Sequence, residues 1–170
     1  MLRRACRDDL AKLLPLANDP DVRPWILPFE TDLLFDTFLG AVNGAQPGTN
    51  TFVYVILEAE ALVGFITLQN QHPVHRRGYI GHLAVEPKAA GRLRIAVQAV
   101  EDVLRIAFKD LNLNRIECNV FSTNPRMKPV LWKVGASHEG TGRESIWHNG
   151  EFVDLEQYAV LREEWEARHG

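Results

Sequence analysis

Residues 79–108 read YIGHLAVEPKAAGRLRIAVQAVEDVLRIAF, and the fold turns on where this stretch is divided. Tyr79 to Val85 reads as a buried strand. From about Gly91, apolar residues at Leu93, Ala96, Val97, Val100, Leu104, Ala107 and Phe108 recur at helical spacing, which predicts an amphipathic helix packed on a sheet. Glu101 and Arg105 then form an i,i+4 pair on its outer face. A strand that runs through a turn into a helix presents unpaired N–H groups at the helix start, an anion site made of backbone. Gly91 lets a ligand come close and leaves the N–H groups of about Gly91 to Leu93 free, and Lys88 and Arg92 can add charge-assisted bonds. The same pattern is also satisfied by a helix that merely starts at a glycine, with both cations solvated.

On the N-terminal side, Leu2 to Cys6 reads as a short strand, and Arg7-Asp8-Asp9 opens a helix over Leu10, Leu13, Leu14 and Ala17. The segment DVRPWILPF carries Pro24 and Pro28, so it is a loop or a broken helix. Its Trp25, Ile26 and Phe29 cover the core or wall a substrate pocket. A helix over Asp32 to Val42 follows. Phe52 to Glu58 and Ala61 to Gln69 read as strands covered on both faces, and QNQHPVHRRG as a longer connection. Beyond the central helix, KDLNLN is its frayed end, Arg115 to Phe121 a strand, and Asn124 to Val134 a helix stopped at Gly135. Strands at about Ala136 to Trp147 and Phe152 to Val160 flank a turn in which Asn149-Gly150 signals a hairpin. A strand, crossover helix and strand imply a parallel pair, while the hairpins imply antiparallel ones, so the sheet is mixed.

The chain has 170 residues, 46% hydrophobic and 24% charged, which suits one globular domain over residues 1–170. A formal charge of -3 does not suit a nucleic-acid partner. No apolar run approaches membrane-spanning length, and MLRRACRDDL turns acidic too early for a signal peptide, so a cytoplasmic protein is expected. Cys6 and Cys118 lack metal spacing and read as buried free thiols. A phosphate-transferring kinase is disfavoured, since no GxxxxGK[ST] element or pair of metal carboxylates occurs.

The order of elements resembles the GNAT N-acetyltransferase superfamily. Lys88, Gly91 and Leu93 fall where that family places a Gln or Arg, a Gly, and a small residue around the pyrophosphate of acetyl-CoA. The early NDPDVRPWI, Asn124, LWKVGASHEG, Asn149-Gly150 and Asp154 to Tyr158 resemble the branch that acetylates the N-termini of ribosomal proteins. Lys128 and Ala136 stand where that branch has Ser and Phe. The resemblance implies an α/β (α+β) fold: a mixed, mostly antiparallel twisted sheet of about seven strands flanked by four helices. It also implies acetyl-CoA as substrate and direct acetyl transfer to a primary amine, a protein N-terminus or a small molecule. The alternative is a noncatalytic acyl-CoA-binding or interaction protein. Separately, the terminal strands leave a homodimer open, with no composition signal that decides it.

Direct transfer needs a neutral amine beside the thioester, an oxyanion donor and a means of returning a proton to the thiolate. By resemblance, the backbone of Leu83, Ala84 and Val85 binds the pantetheine arm, Lys88, Gly91, Arg92 and Leu93 surround the pyrophosphate, and Asn124 and Trp132 complete the site. Leu93 turns either into the core or across the helix mouth. His82, whose imidazole titrates near neutrality, and Glu86 at the strand end are the candidate bases; each is equally readable as a surface or packing residue. His72 and His75 read as loop histidines. The family's helical tyrosine acid is missing between Phe121 and Gly135, which leaves Ser122 as a weak acid and Asn124 as a hydrogen-bond donor.

Overall fold

The computed structural model describes residues 1–26 and 51–170. Among these residues the chain runs β1 (Leu2–Arg4), α1 (Leu10–Ala17), β2 (Phe52–Glu58), β3 (Ala61–His72), β4 (Arg77–Val85), α2 (Arg92–Arg105), β5 (Arg115–Phe121), α3 (Met127–Lys133), β6 (Ser137–His148), β7 (Glu151–Leu161) and α4 (Arg162–His169). The seven strands form one sheet in the order β1-β2-β3-β4-β5-β7-β6. Every neighbouring pair is antiparallel except β4 and β5. The mixed, mostly antiparallel sheet is therefore as expected, and the helix anticipated over Asp32 to Val42 lies outside the described residues.

Strand alternation divides the core in two. Val53, Val55, Phe65 and Ala84 face α1, while Tyr54, Ile56, Ile66, Leu68 and Ile80 join the core beneath α2. Both faces are covered, which explains the near-continuous apolar content of β2 and β3. Asn149 and Gly150 hold φ of 51° and 90°, the left-handed pair that a tight β6–β7 hairpin requires.

Several boundaries shift. The polar tract after Gln69 is mostly strand, with β3 and β4 joined by a short turn over 73–76. Cys6 is exposed and only Cys118 is buried. The buried face of α2 is Ile95, Ala96, Ala99, Val100, Val103 and Leu104, whereas Leu93 is 41% exposed. Leu93 precedes Ile95 by two residues, about 200° of helix rotation, so the two cannot share a face. The end of this helix does not fray. It widens into a π turn, Ile106–Asp110, with Leu111 N–H donating to the Ile106 carbonyl. Arg162 then donates to the Phe108 and Leu113 carbonyls, supplying a cation where helix carbonyls point outward.

That arginine opens α4, which the sequence reading did not anticipate. Its signals were present: Glu163 and Glu164 in the first turn and Arg168 and His169 in the last. Trp165 is buried against Phe108 and donates its indole N–H to Glu101 at 2.8 Å. Glu101 thus faces α4, and Arg105 approaches Asp110 at 3.7 Å instead of forming the expected pair.

Candidate active site

β4 and β5 are in register for only three residues, Arg77 to Tyr79 against Arg115 to Glu117. Beyond them the strands part, and β5 stays paired with β7 through Phe121. The opening is a cleft of about 500 Å³ walled by Gly81 and Leu83 to Val85 on one side, Cys118 to Phe121 on the other, and the first turns of α2 and α3.

A bulge shapes the β4 wall. Ile66 pairs with Leu83 and Leu68 with Ile80, so Gly81 and His82 together face Thr67. The His82 N–H donates to Thr67 Oγ1 at 2.8 Å, and Gln69 Nε2 lies 3.0 Å from both Thr67 Oγ1 and His82 Nδ1. A Cβ on Gly81 would lie 2.3 Å from the Gln69 amide nitrogen. Glycine here leaves room for the polar cluster that holds the bulge.

The mouth is cationic. Gly91 caps α2 with φ 70° and ψ 29°, a left-handed conformation that a side chain disfavours. Arg92 and Arg126, from the first turn of α2 and the cap of α3, both line the cleft. Burial, and then the Arg126 charge, disfavour the Arg92 cation, with Asp21 and Asp19 acting the other way. Arg126 also donates to the Asp21 carbonyl at 2.5 Å. Asn124 is 5% exposed, and its Oδ1 accepts from the backbone N–H groups of Arg126 and Met127 at 3.0 and 3.4 Å. It thereby fixes the chain leading into α3.

The cleft wall includes the expected Leu83, Ala84, Val85, Arg92, Leu93 and Asn124. Leu93 projects at the mouth and does not turn into the core. The other expected residues lie outside that wall. Trp132 is 79% exposed, because α3 buries Val130 and Leu131 and turns the indole to solvent; Met127, Pro129 and Val130 supply the α3 surface instead. Lys88 is exposed in the turn before Gly91, and Arg94 is drawn away to Glu58 at 2.7 Å. His82 is 4% exposed and packed against Thr67, where burial lowers its imidazole from 6.5 to about 4. Glu86 is exposed beyond the strand end, its N–H held by the Val63 carbonyl, and the Ser122 N–H donates to the Asp154 carbonyl across to β7. His72 and His75 stack on each other in the β3–β4 turn, away from the cleft wall.

The wall residues that were not anticipated include Arg126 and Tyr79. Arg126 follows Asn124-Pro125, and a cation at the start of a short helix is a readable signal. Tyr79, read only as a strand residue, lines the narrow end, where its hydroxyl accepts the Asn119 N–H at 3.0 Å. The family resemblance implies that β4 splays from its parallel neighbour, but the residues alone do not reveal that the parting begins just beyond Tyr79.

An apolar slot between parting strands, with two arginines and a glycine-capped helix at its mouth, suits a long thin ligand with an anionic end. The profile of the acetyltransferase (GNAT) domain matches residues 1–137. The chain belongs to the GNAT acetyltransferase family. Relatives of this GNAT chain include a protein provisionally named ribosomal N-acetyltransferase YdaF, from Bacillus subtilis (strain 168), 28% identical over 93% of this chain and 87% of that protein. An uncharacterised N-acetyltransferase, p20 of Bacillus licheniformis, is 24% identical over 96% and 93% of the two chains. Among solved structures, the Vibrio cholerae spermidine N-acetyltransferase in complex with CoA and spermine superposes with a TM-score of 0.82 at 22% identity, covering 98% of this chain and 97% of that one. This last likeness bears on the fold. As a GNAT enzyme the protein is an N-acetyltransferase that moves the acetyl group of acetyl-CoA to an amine, and the noncatalytic alternative is not favoured. No helix among the described residues is long and apolar enough to cross a membrane.

Proposed function

We propose that the acceptor is the α-amine of a polypeptide N-terminus. The observation that carries this reading is the lack of a side-chain base along the described cleft wall. Its one carboxylate, Asp21, lies near Arg92 and Arg126, while His82 and Glu86 lie outside the wall. An acceptor in such a cleft must arrive neutral. At about pH 7.5, roughly a third of α-amines are neutral against about one in a thousand alkylamines of the lysine type. The relative provisionally named a ribosomal N-acetyltransferase supports the same choice.

Transfer is direct on this reading. Cys118 is the one thiol in the described wall, and burial pushes it up to about 12, so it stays protonated and does not carry the acetyl group. The backbone of Leu83 to Val85 holds the pantetheine arm, Arg92 and Arg126 hold its phosphates, and Asn124 keeps the α3 wall in place. Use of acetyl-CoA supports a cytoplasmic location on this reading, and the β6 edge strand offers a surface for pairing of two copies, readable from mass by light scattering.

The test is thiol release from acetyl-CoA across peptides beginning in Ser, Ala or Thr and across spermidine and spermine. Turnover of peptides at least about tenfold above polyamines is expected, with kcat/KM levelling off above the α-amine pKa. A preference for spermine would overturn the choice of acceptor.

A further inference from the structure

We propose that the Tyr79 hydroxyl donates a hydrogen bond to the thioester sulfur and stabilises it as the acetyl group leaves. The inference rests on the acetyl-CoA reading of the cleft and is independent of which amine accepts the acetyl group.

Tyr79 is the last β4 residue in register with β5, opposite Glu117, and its side chain lines the cleft at the point where the strands part. Its oxygen accepts the Asn119 N–H at 3.0 Å. That bond fixes the oxygen and leaves the hydroxyl hydrogen to be directed into the cleft, since a phenol both accepts and donates. The chain has three tyrosines. Tyr54 is buried in the core and Tyr158 gives its hydrogen to Glu156 at 2.8 Å, so neither serves the cleft. α3 reads MKPVLWK and has no hydroxyl to offer.

Position and protonation agree with this role. The phosphates belong at the Arg92–Arg126 mouth, level with Val85, and the thioester therefore belongs toward the opposite, narrow end. Six residues of strand separate Val85 from Tyr79, about 20 Å, which is of the order of an extended pantetheine arm. Burial pushes the phenol up to about 12, so it remains a donor throughout the working range.

The amine lone pair forms the C–N bond at the carbonyl carbon, the C–S pair leaves on sulfur, and nitrogen gives its extra proton to water. The thiolate is held by the Tyr79 O–H and collects its proton from water. Tyr79 keeps its own proton, so its contribution is electrostatic.

Two readouts test this. In Tyr79→Phe, kcat falls about a hundredfold while the Kd for CoA stays within about threefold. Independently of any acceptor, the thiol of bound CoA is titrated by thiolate absorbance. The wild-type complex titrates below free CoA, and Tyr79→Phe raises that value by about one unit. Because phenylalanine also leaves Asn119 N–H without its acceptor, a fluorinated tyrosine at position 79 preserves the shape while strengthening the donor, and is expected to lower the bound thiol further. Identical thiol titrations in all three proteins would reduce Tyr79 to a spacer between strands and overturn the proposal. A wild type that binds CoA but acetylates no amine would sink the transferase reading alone, with the thiol titration still deciding Tyr79. Failure to bind CoA would overturn both.

Discussion

The two walls of the cleft are built by different rules. On the β5 side, seven consecutive residues stay in register with β7, from Arg115 to Phe121. On the β4 side the ladder with β3 is interrupted by the bulge at Gly81 and His82, and glycines at 64 and 81 sit where side chains would collide with neighbours. The regular wall supplies a fixed surface. The irregular wall supplies the shape, because a bulge redirects backbone groups and a missing Cβ lets a second layer of polar side chains come close.

The comparison predicts where substitution hurts. Gly64→Ala is expected to cost about 3 kcal/mol in urea denaturation, since its Cβ would lie 2.3 Å from the Ala84 carbonyl oxygen, which belongs to the β4 backbone. Gly140→Ala, in the β6–β7 half, meets nothing nearer than Gln157 Oε1 at 3.7 Å and should change stability by less than about 0.5 kcal/mol. Equal effects would erase the distinction.

His82 makes the irregular wall sensitive to acid. Its folded imidazole titrates at about 4 against 6.5 in the ordinary state, so the unfolded chain binds the proton first. The stability it contributes is complete above pH 6.5 and is lost as pH falls toward 4, up to about 3 kcal/mol at 1.36 kcal/mol per unit. Denaturation midpoints measured across that window should fall in the wild type and fall less in His82→Gln; parallel curves would show that the imidazole is not buried in solution.

At the mouth the effects are smaller and appear in binding. Gly91→Leu should weaken CoA at least tenfold in calorimetry, because the left-handed cap is strained by any side chain and the N–H groups behind it must shift. Unchanged affinity would show that the phosphates sit elsewhere. Arg126→Ala should cost about fivefold, an effect that fades with added salt, as expected of a partly exposed charge. The smallest change is Leu93→Ala, which removes an exposed side chain from the mouth and is expected to tighten CoA about twofold. Weaker binding in that variant would mean that Leu93 covers the ligand instead of obstructing it.

Much of the fold was legible because it follows from local period. β2 and β5 have the expected bounds, and the Asn149-Gly150 turn and the αL stop at Gly135 follow from residue type. The helix after Gly91 was also correct, and Ala96, Val100, Leu104, Ala107 and Phe108 are buried as expected, but Leu93 is not: Leu93 and Ile95 are equally apolar, and only the sheet beneath decides which one is buried. α4 was missed because its one deeply buried anchor, Trp165, sits in an otherwise charged segment and is defined by contacts with Phe108 and Glu101, more than 50 positions away in sequence.

The site divides in the same way. Arg92, Leu93 and Asn124 could be placed at the cleft from motif positions, since a helix start is a local event. His82 and Trp132 could not be judged, because chemical type suggests a role but burial against Thr67 or exposure to solvent determines it. The sequence by itself determined most of the elements, their order and the glycine-capped start of α2, all encoded within a turn or two of chain. Tertiary structure alone decided that β4 leaves β5 after Tyr79, that Arg126 joins Arg92, and that a tyrosine stands at the narrow end, because each depends on residues brought together from separate strands and helices.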